Sequence, residues 1–246
     1  MSKKLNKKEI EKFSRQIILK NIGALGQKKI QEAKVLIIGM GGLGCPAAEF
    51  LTRSGIGTLG LADHDKVSLS NIHRQTLYSE KDINKSKVKI SKKKLNEINP
   101  KTRINIFDYK LDKIKLNKII KDYDYIIDGT DNFESKFLIN DLSLKYKKFL
   151  VAGAISKFDG HIFNFDFKIK NNPSLRDFYQ EDVVTNDILN CEYDGILGTV
   201  AGIVGTMQAN EILKKILNIG QNLNRFVLIL DLLNLSMRRV KLRKRK

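Results

Sequence analysis

Lys34-Val35-Leu36-Ile37-Ile38-Gly39-Met40-Gly41-Gly42-Leu43-Gly44 runs from a short apolar stretch into a glycine-rich turn. An uninterrupted apolar run of strand length, ended by glycine, reads as a strand buried on both faces of a parallel sheet. The segment from about Leu43 to Ser54 then reads as a helix. It sets Leu43, Ala47, Phe50, Leu51 and Ser54 on one face and Pro46 in the first turn, where a missing N–H costs little. Gly39, Gly41 and Gly44 form a G-x-G-x-x-G pattern at the strand-to-helix turn, with Gly42 as a fourth glycine inside it. Such a turn lets phosphate oxygens approach the amides at a helix N-terminus. Asp63 closes the next predicted strand, Gly57–Asp63, roughly 20 residues on, where a carboxylate can accept ribose hydroxyls.

The same alternation continues outward. Ser86–Asn99 reads as a lysine-rich helix ending before Pro100, and Arg103–Phe107 and Asp124–Asp128 as strands with a helical segment between them. A helix is expected from Asp131 to about Lys147, and a strand over Phe149–Ala154. Ile155–Phe167 alternates apolar and polar residues, which suggests an antiparallel hairpin added to the sheet. Residues 168–198 carry little periodicity and form a long loop, Gly198–Leu217 reads as a helix, and Arg225–Asp231 as a final strand before another short extended segment. The fold class is therefore α/β: a Rossmann-like, doubly wound, mainly parallel sheet extended by antiparallel strands, in a single domain over 1–246.

Composition narrows the classes. No segment approaches 18 uninterrupted apolar residues and the first dozen residues are polar, so neither a membrane anchor nor a signal peptide is expected. Cys45 and Cys191 stand far apart, which makes no disulfide framework and suits a reducing, cytoplasmic setting. The net charge is +18, and a tail over 238–246 is mostly Lys and Arg. The lysines are otherwise spread over every predicted helix among acidic residues, as on a solvated surface with a frayed basic tail. Tryptophan is absent, and neither zinc-finger spacing nor an aromatic RNA-binding string occurs, so nucleic acid is not an expected partner.

The glycines do not say which nucleotide binds. A dinucleotide dehydrogenase is one reading. A nucleoside triphosphate is another, favoured by Asn71, Arg74, Gln75, Lys87 and Asp131 at predicted loop or helix ends. Two cations beside a phosphate cradle compensate the charge of a leaving pyrophosphate, and a carboxylate opposite them can hold magnesium through oxygen. Each residue has an ordinary alternative: a structural salt bridge for Arg74, a solvated helix lysine for Lys87, and a helix N-cap for Asp131, given Glu134 three residues on.

Several stretches taken together are more specific. Phe13-Ser14-Arg15-Gln16-Ile17-Ile18-Leu19, the run from Val35 to Cys45, Asp63 to Leu77, Asp128-Gly129-Thr130-Asp131-Asn132 and Gly195 to Gly205 resemble, in order and spacing, the ThiF/MoeB/HesA family of bacterial relatives of ubiquitin-activating enzymes. The central Ser68-Leu69-Ser70-Asn71 is more like the thiamine and molybdopterin branches than the tRNA-cyclising one. The resemblance implies a homodimer that binds ATP with Mg2+ and adenylates the C-terminal Gly-Gly carboxylate of a small β-grasp sulfur-carrier protein, served by a cysteine desulfurase or rhodanese sulfur donor. The alternative is adenylation of a tRNA-borne or peptide carboxylate by the same fold.

By position, Gly41, Gly42, Asp63 and the neighbouring Asp65 fall to the nucleotide. Asn71, Arg74 and Lys87 fall to phosphates, with Gln75 beside them, Asp131 to magnesium, and Arg15 to the neighbouring subunit's site. Cys191 occupies a crossover-loop position where some relatives link covalently to the carrier, whereas Cys45 reads as packing. Paired C-x-x-C motifs that hold structural zinc in many relatives are missing: Ser174-Leu175-Arg176-Asp177-Phe178 and Ser236-Met237-Arg238-Arg239 stand in their places, so no structural zinc is expected.

Overall fold

The computed structural model of the chain describes residues 5–179 and 195–244. In chain order the main elements are α1 (Lys7–Lys12), α2 (Ser14–Ile17), α3 (Gly23–Glu32), β1 (Lys34–Ile38), α4 (Gly44–Arg53), β2 (Thr58–Ala62), α5 (Lys87–Ile98) and β3 (Arg103–Phe107). There follow α6 (Lys113–Ile119), β4 (Tyr125–Asp128), α7 (Phe133–Lys145), β5 (Phe149–Ser156), β6 (Asp159–Asp166), α8 (Gly198–Leu217), β7 (Phe226–Asp231) and β8 (Ser236–Lys241).

The strands form one 8-stranded sheet in the order β3-β2-β1-β4-β5-β6-β7-β8. The first five are parallel and the last three antiparallel, with Val35 opposite both Leu59 and Tyr125 in the middle of the sheet. Side chains alternate across the pleat, so Val35 and Ile37 enter one core layer while Leu36 and Ile38 enter the other. The first layer lies under α3, α4, α5 and α8 and the second under α6 and α7. Connections from β1 and β4, neighbours in the sheet, lead away in opposite directions. Their carboxyl ends therefore open a crevice at a topological switch point.

Gly198–Leu217 and Arg103–Phe107 form as expected from the sequence, and the antiparallel extension is present. Three details differ. Phe50 is 46% exposed, because α4 buries the arc through Ala47, Ala48 and Leu51. The helix expected from Asp131 starts at Phe133, capped by Asn132, whose side chain accepts from Ser135 N–H. The basic stretch over 238–246 is only in part a tail, since Arg238 to Lys241 belong to the edge strand β8. The Arg239 guanidinium there lies 3.8 Å from the Phe226 ring centroid. Charged residues along an exposed edge also discourage pairing with other chains. Among the described residues, no helix is long and apolar enough to cross a membrane.

Candidate functional site

The glycine turn is closed by sterics. Gly39 has φ +90°, and a Cβ there would lie 2.7 Å from the Gly129 carbonyl oxygen. A Cβ on Gly44 would collide with the Gly39 carbonyl, so α4 begins directly against the turn that precedes it. Gly129 follows β4, so the loops after β1 and β4 meet at the switch point. The N-terminus of α8 approaches the same place: a Cβ on Gly42 would come within 2.9 Å of Ala201, and one on Gly198 would collide with the His73 carbonyl.

Asp63 is bound to the turn by its own side chain. Its Oδ2 accepts from Met40 N–H (2.7 Å) and its Oδ1 from Asp65 N–H (2.8 Å), which holds the carboxylate at the mouth of the crevice with lone pairs to spare. Asp65 reaches across to Lys87, whose Nζ lies 2.9 Å from Asp65 Oδ2. Lys87 is 5% exposed and begins α5, capped by Ser86. A solvated helix lysine, the ordinary alternative, is not what the structure contains. Asp63, His64 and Asp65 also bring three ligand atoms within 4.8 Å of one another, although both carboxylates are already engaged as described.

Asn71, Arg74 and Gln75 share one turn. The Asn71 carbonyl accepts from the Arg74 and Gln75 amides, while its side-chain oxygen accepts from Ser68 N–H. The aliphatic stem of Arg74 covers Gly42, and its Nη1 donates to the Ser70 carbonyl (2.8 Å) and to His73 Nε2 (2.9 Å). No carboxylate pairs with it among the described residues, so the salt-bridge alternative fails too. Gln75 is 3% exposed and its Oε1 is buried without a partner, while its Nε2 faces Gly41, 3.6 Å from where a Cβ would stand. The Gln75 Nε2 is a donor, so it is the part of this amide that can meet an anion at the glycine turn. The donor set of glycine-turn amides, the Gln75 amide, Arg74 and Lys87 fits a polyphosphate.

Asp131 is exposed on the β4–α7 loop, with Asn132 Nδ2 3.3 Å from its Oδ1. Because Asn132 does the capping, Asp131 is left without that local duty. Beneath the loop lies a group the sequence did not reveal. Asp128 Oδ1 accepts from Thr130 N–H (2.9 Å) and Thr130 Oγ1 (2.6 Å), and Oδ2 lies 3.2 Å from Lys136 Nζ. Lys136 also donates to the Gly153 carbonyl at 2.6 Å, and Gln208 of α8 donates to the Asp128 carbonyl at 2.8 Å. Nothing in the spacing of a lysine within a lysine-rich chain signalled this pair.

Arg15 is exposed on α2 and has no hydrogen-bond or ion-pair partner among the described residues. Cys191 lies outside the described residues. Cys45 is buried in the first turn of α4, where burial pushes its thiol up to about 12, so it stays protonated and inert.

The profile of the ThiF family matches residues 13–246. A probable molybdopterin-synthase adenylyltransferase of Gracilaria tenuistipitata var. liui is 40% identical over 97% of this chain and 66% of its own length. The adenylyltransferase and sulfurtransferase MOCS3 of Drosophila virilis is 37% identical over 98% of this chain and 53% of its own length. The chain thus spans about two thirds or less of these relatives. It spans 89% of the sulfur carrier protein adenylyltransferase of Thermus thermophilus, at 33% identity. In fold, the crystal structure of PaaA gives a TM-score of 0.82 at 23% identity, over 98% of this chain and 85% of that one. The ATP-bound crystal structure of MccB from E. coli gives 0.81 at 20%, over 98% and 73%.

Proposed function

This chain belongs to the ThiF family, and on that premise we propose that it is an ATP-dependent adenylyltransferase acting on the C-terminal glycine carboxylate of a small sulfur-carrier protein. The names of two algal relatives, both probable molybdopterin-synthase adenylyltransferases, favour a carrier of the molybdopterin-synthase type. The observation that carries the reading is the cation pair at the glycine turn: Arg74, whose stem covers Gly42 and with which no carboxylate pairs among the described residues, and Lys87, held at 5% exposure by Asp65 beside the Asp63 that binds the turn.

In this reaction a carboxylate oxygen of the carrier attacks the α-phosphorus of ATP, the bond to the β-phosphate oxygen breaks, and pyrophosphate leaves. The carboxylate is ionised at neutral pH, so the site has no proton to remove and its task is positioning and charge compensation. Asp63 holds the ribose, the glycine-turn amides and Gln75 receive phosphate oxygens, and Arg74 and Lys87 neutralise charge as pyrophosphate departs. Lys87 must then share its ammonium between Asp65 and phosphate. Asp131 would hold magnesium, with Asn132 steadying its carboxylate; when bound, the ion screens the phosphate charge against the incoming carboxylate. Arg15, unpaired among the described residues, completes a partner subunit's site in a homodimer, and Cys191 is assigned to the transfer that follows adenylation.

Carrier-dependent exchange of labelled pyrophosphate into ATP tests the reading. Exchange that needs both the carrier and its terminal glycine supports it. Absence of exchange with every ubiquitin-like carrier, or tight nicotinamide binding without ATP binding, refutes it.

A further inference from the structure

One buried hydroxyl joins the glycine turn to the helix that carries Lys87. Tyr78 is 5% exposed, and its hydroxyl donates to the Met40 carbonyl at 2.9 Å. It stands 2.9 Å from Ser91 Oγ on α5 and 3.4 Å from the Lys87 carbonyl. The Met40 carbonyl accepts a second, weaker bond from Cys45 Sγ at 3.4 Å, while the Met40 amide is taken by Asp63. Met40 is therefore held through both of its backbone polar groups, one in each of two successive peptide units. Its N–H is fixed by the carboxylate assigned to ribose, and its C=O by a hydroxyl rooted in α5. That C=O belongs to the peptide unit that carries the Gly41 N–H, so holding it fixes the direction of that amide, which points away from the Tyr78 hydroxyl. Through Ser91, four residues after Lys87 on the same helix, the same hydroxyl fixes the register of α5 against that backbone.

We propose that Tyr78 is a positioning residue for the triphosphate: its hydroxyl sets the glycine turn and Lys87 in mutual register, so that phosphate meets both at once. The inference rests on the nucleotide reading above. A phenol serves here because its rigid ring carries a single donor into the core layer that also holds Leu77, Val88 and Cys45. It donates to Met40 and accepts from Ser91, so both of its roles are filled.

The test compares Mg-ATP affinity by calorimetry with competitive inhibition of pyrophosphate exchange by adenosine, which carries no phosphate. Tyr78→Phe keeps the ring and removes one hydroxyl. It is expected to weaken Mg-ATP by about tenfold, the worth of one buried hydrogen bond, with adenosine inhibition changed by no more than about twofold. Ser91→Ala, which removes only the supporting donor, is expected to weaken Mg-ATP by about threefold with the same selectivity, and it carries the test should Tyr78→Phe not fold. Wild-type affinity for Mg-ATP in the variants, or an equal loss for ATP and adenosine, overturns the inference and leaves Tyr78 a core residue. Failure of the wild-type protein to bind Mg-ATP overturns the nucleotide reading instead.

Discussion

Lys136 Nζ lies 3.2 Å from Asp128 Oδ2, and both residues are buried, at 5% and 0% exposure. The pair sits under Thr130 and Asp131, with Asp128 holding the Thr130 amide and Lys136 reaching on to the Gly153 carbonyl. Lys136→Met should therefore leave a carboxylate buried without its counter-ion and cost about 3–5 kcal/mol in denaturant unfolding. Lys136→Arg, which retains the charge, should cost much less. An equal loss in both variants would mean that chain shape, and not charge, is what the pocket requires.

Gly44 gives the sharpest steric prediction. A Cβ there meets the backbone oxygen of Gly39, not a side chain that can move aside. Gly44→Ala should shift the start of α4, lower stability by about 3 kcal/mol or more, and reduce exchange with it. Gly202, within α8, has nothing within 4 Å of an added Cβ, so Gly202→Ala should instead raise the melting temperature by about 2–4 °C. A Gly44→Ala protein that melts like the wild type would show that the turn can relax.

How much of this was legible in the sequence depends on whether the cause was local. β1 and its turn could be read because an apolar run and three spaced glycines leave the backbone few options. The helix start after β4 was displaced because Asp131 and Asn132 are both good caps and Glu134 mimics a capping box for the first. Only the approach of Ser135 N–H to Asn132 decides between them. The part of β8 from Arg238 on was read as tail because Arg238, Arg239 and Lys241 mask a pleat that sets Arg238 and Val240 on one side and Met237 and Arg239 on the other. The Lys136–Asp128 pair and the Tyr78 hydroxyl were invisible. Each joins elements that only the folded sheet brings together.

Alkaline pH should expose the buried groups around Met40. Burial raises the Cys45 thiol to about 12 and pushes the Tyr78 phenol up as well. A raised pKa means that the unfolded chain gives up the proton first. For Cys45 the stability is fully present below about pH 9 and falls by about 1.4 kcal/mol per pH unit from there toward pH 12. Denaturant unfolding at pH 8, 9 and 10 should show the decline, and Cys45→Ala should make it shallower. An unchanged slope in Cys45→Ala would assign the decline to other groups.

The last prediction concerns Arg15, which is exposed on α2 and unpaired among the described residues, whereas Arg74 and Lys87 are already held in their own chain. A cation with no partner among the described residues of its own chain, ahead of β1, suits a role in another subunit's site. Removing either it or Asp131 should cost at least about 100-fold in pyrophosphate exchange, the scale of one preorganised charge contact at a reacting phosphate. Neither Arg15→Ala nor Asp131→Ala homodimers then contain a working site. In a mixed dimer, the site whose own chain carries Asp131 receives Arg15 from the partner and is whole, while the other site lacks both. Equal mixing with free subunit exchange gives half mixed dimers with one working site each, or about a quarter of wild-type activity. Recovery near that level identifies Arg15 as acting in trans. A mixture that exchanges subunits, as followed by differently tagged chains, and stays as inactive as its parents places Arg15 in its own subunit's site or in neither.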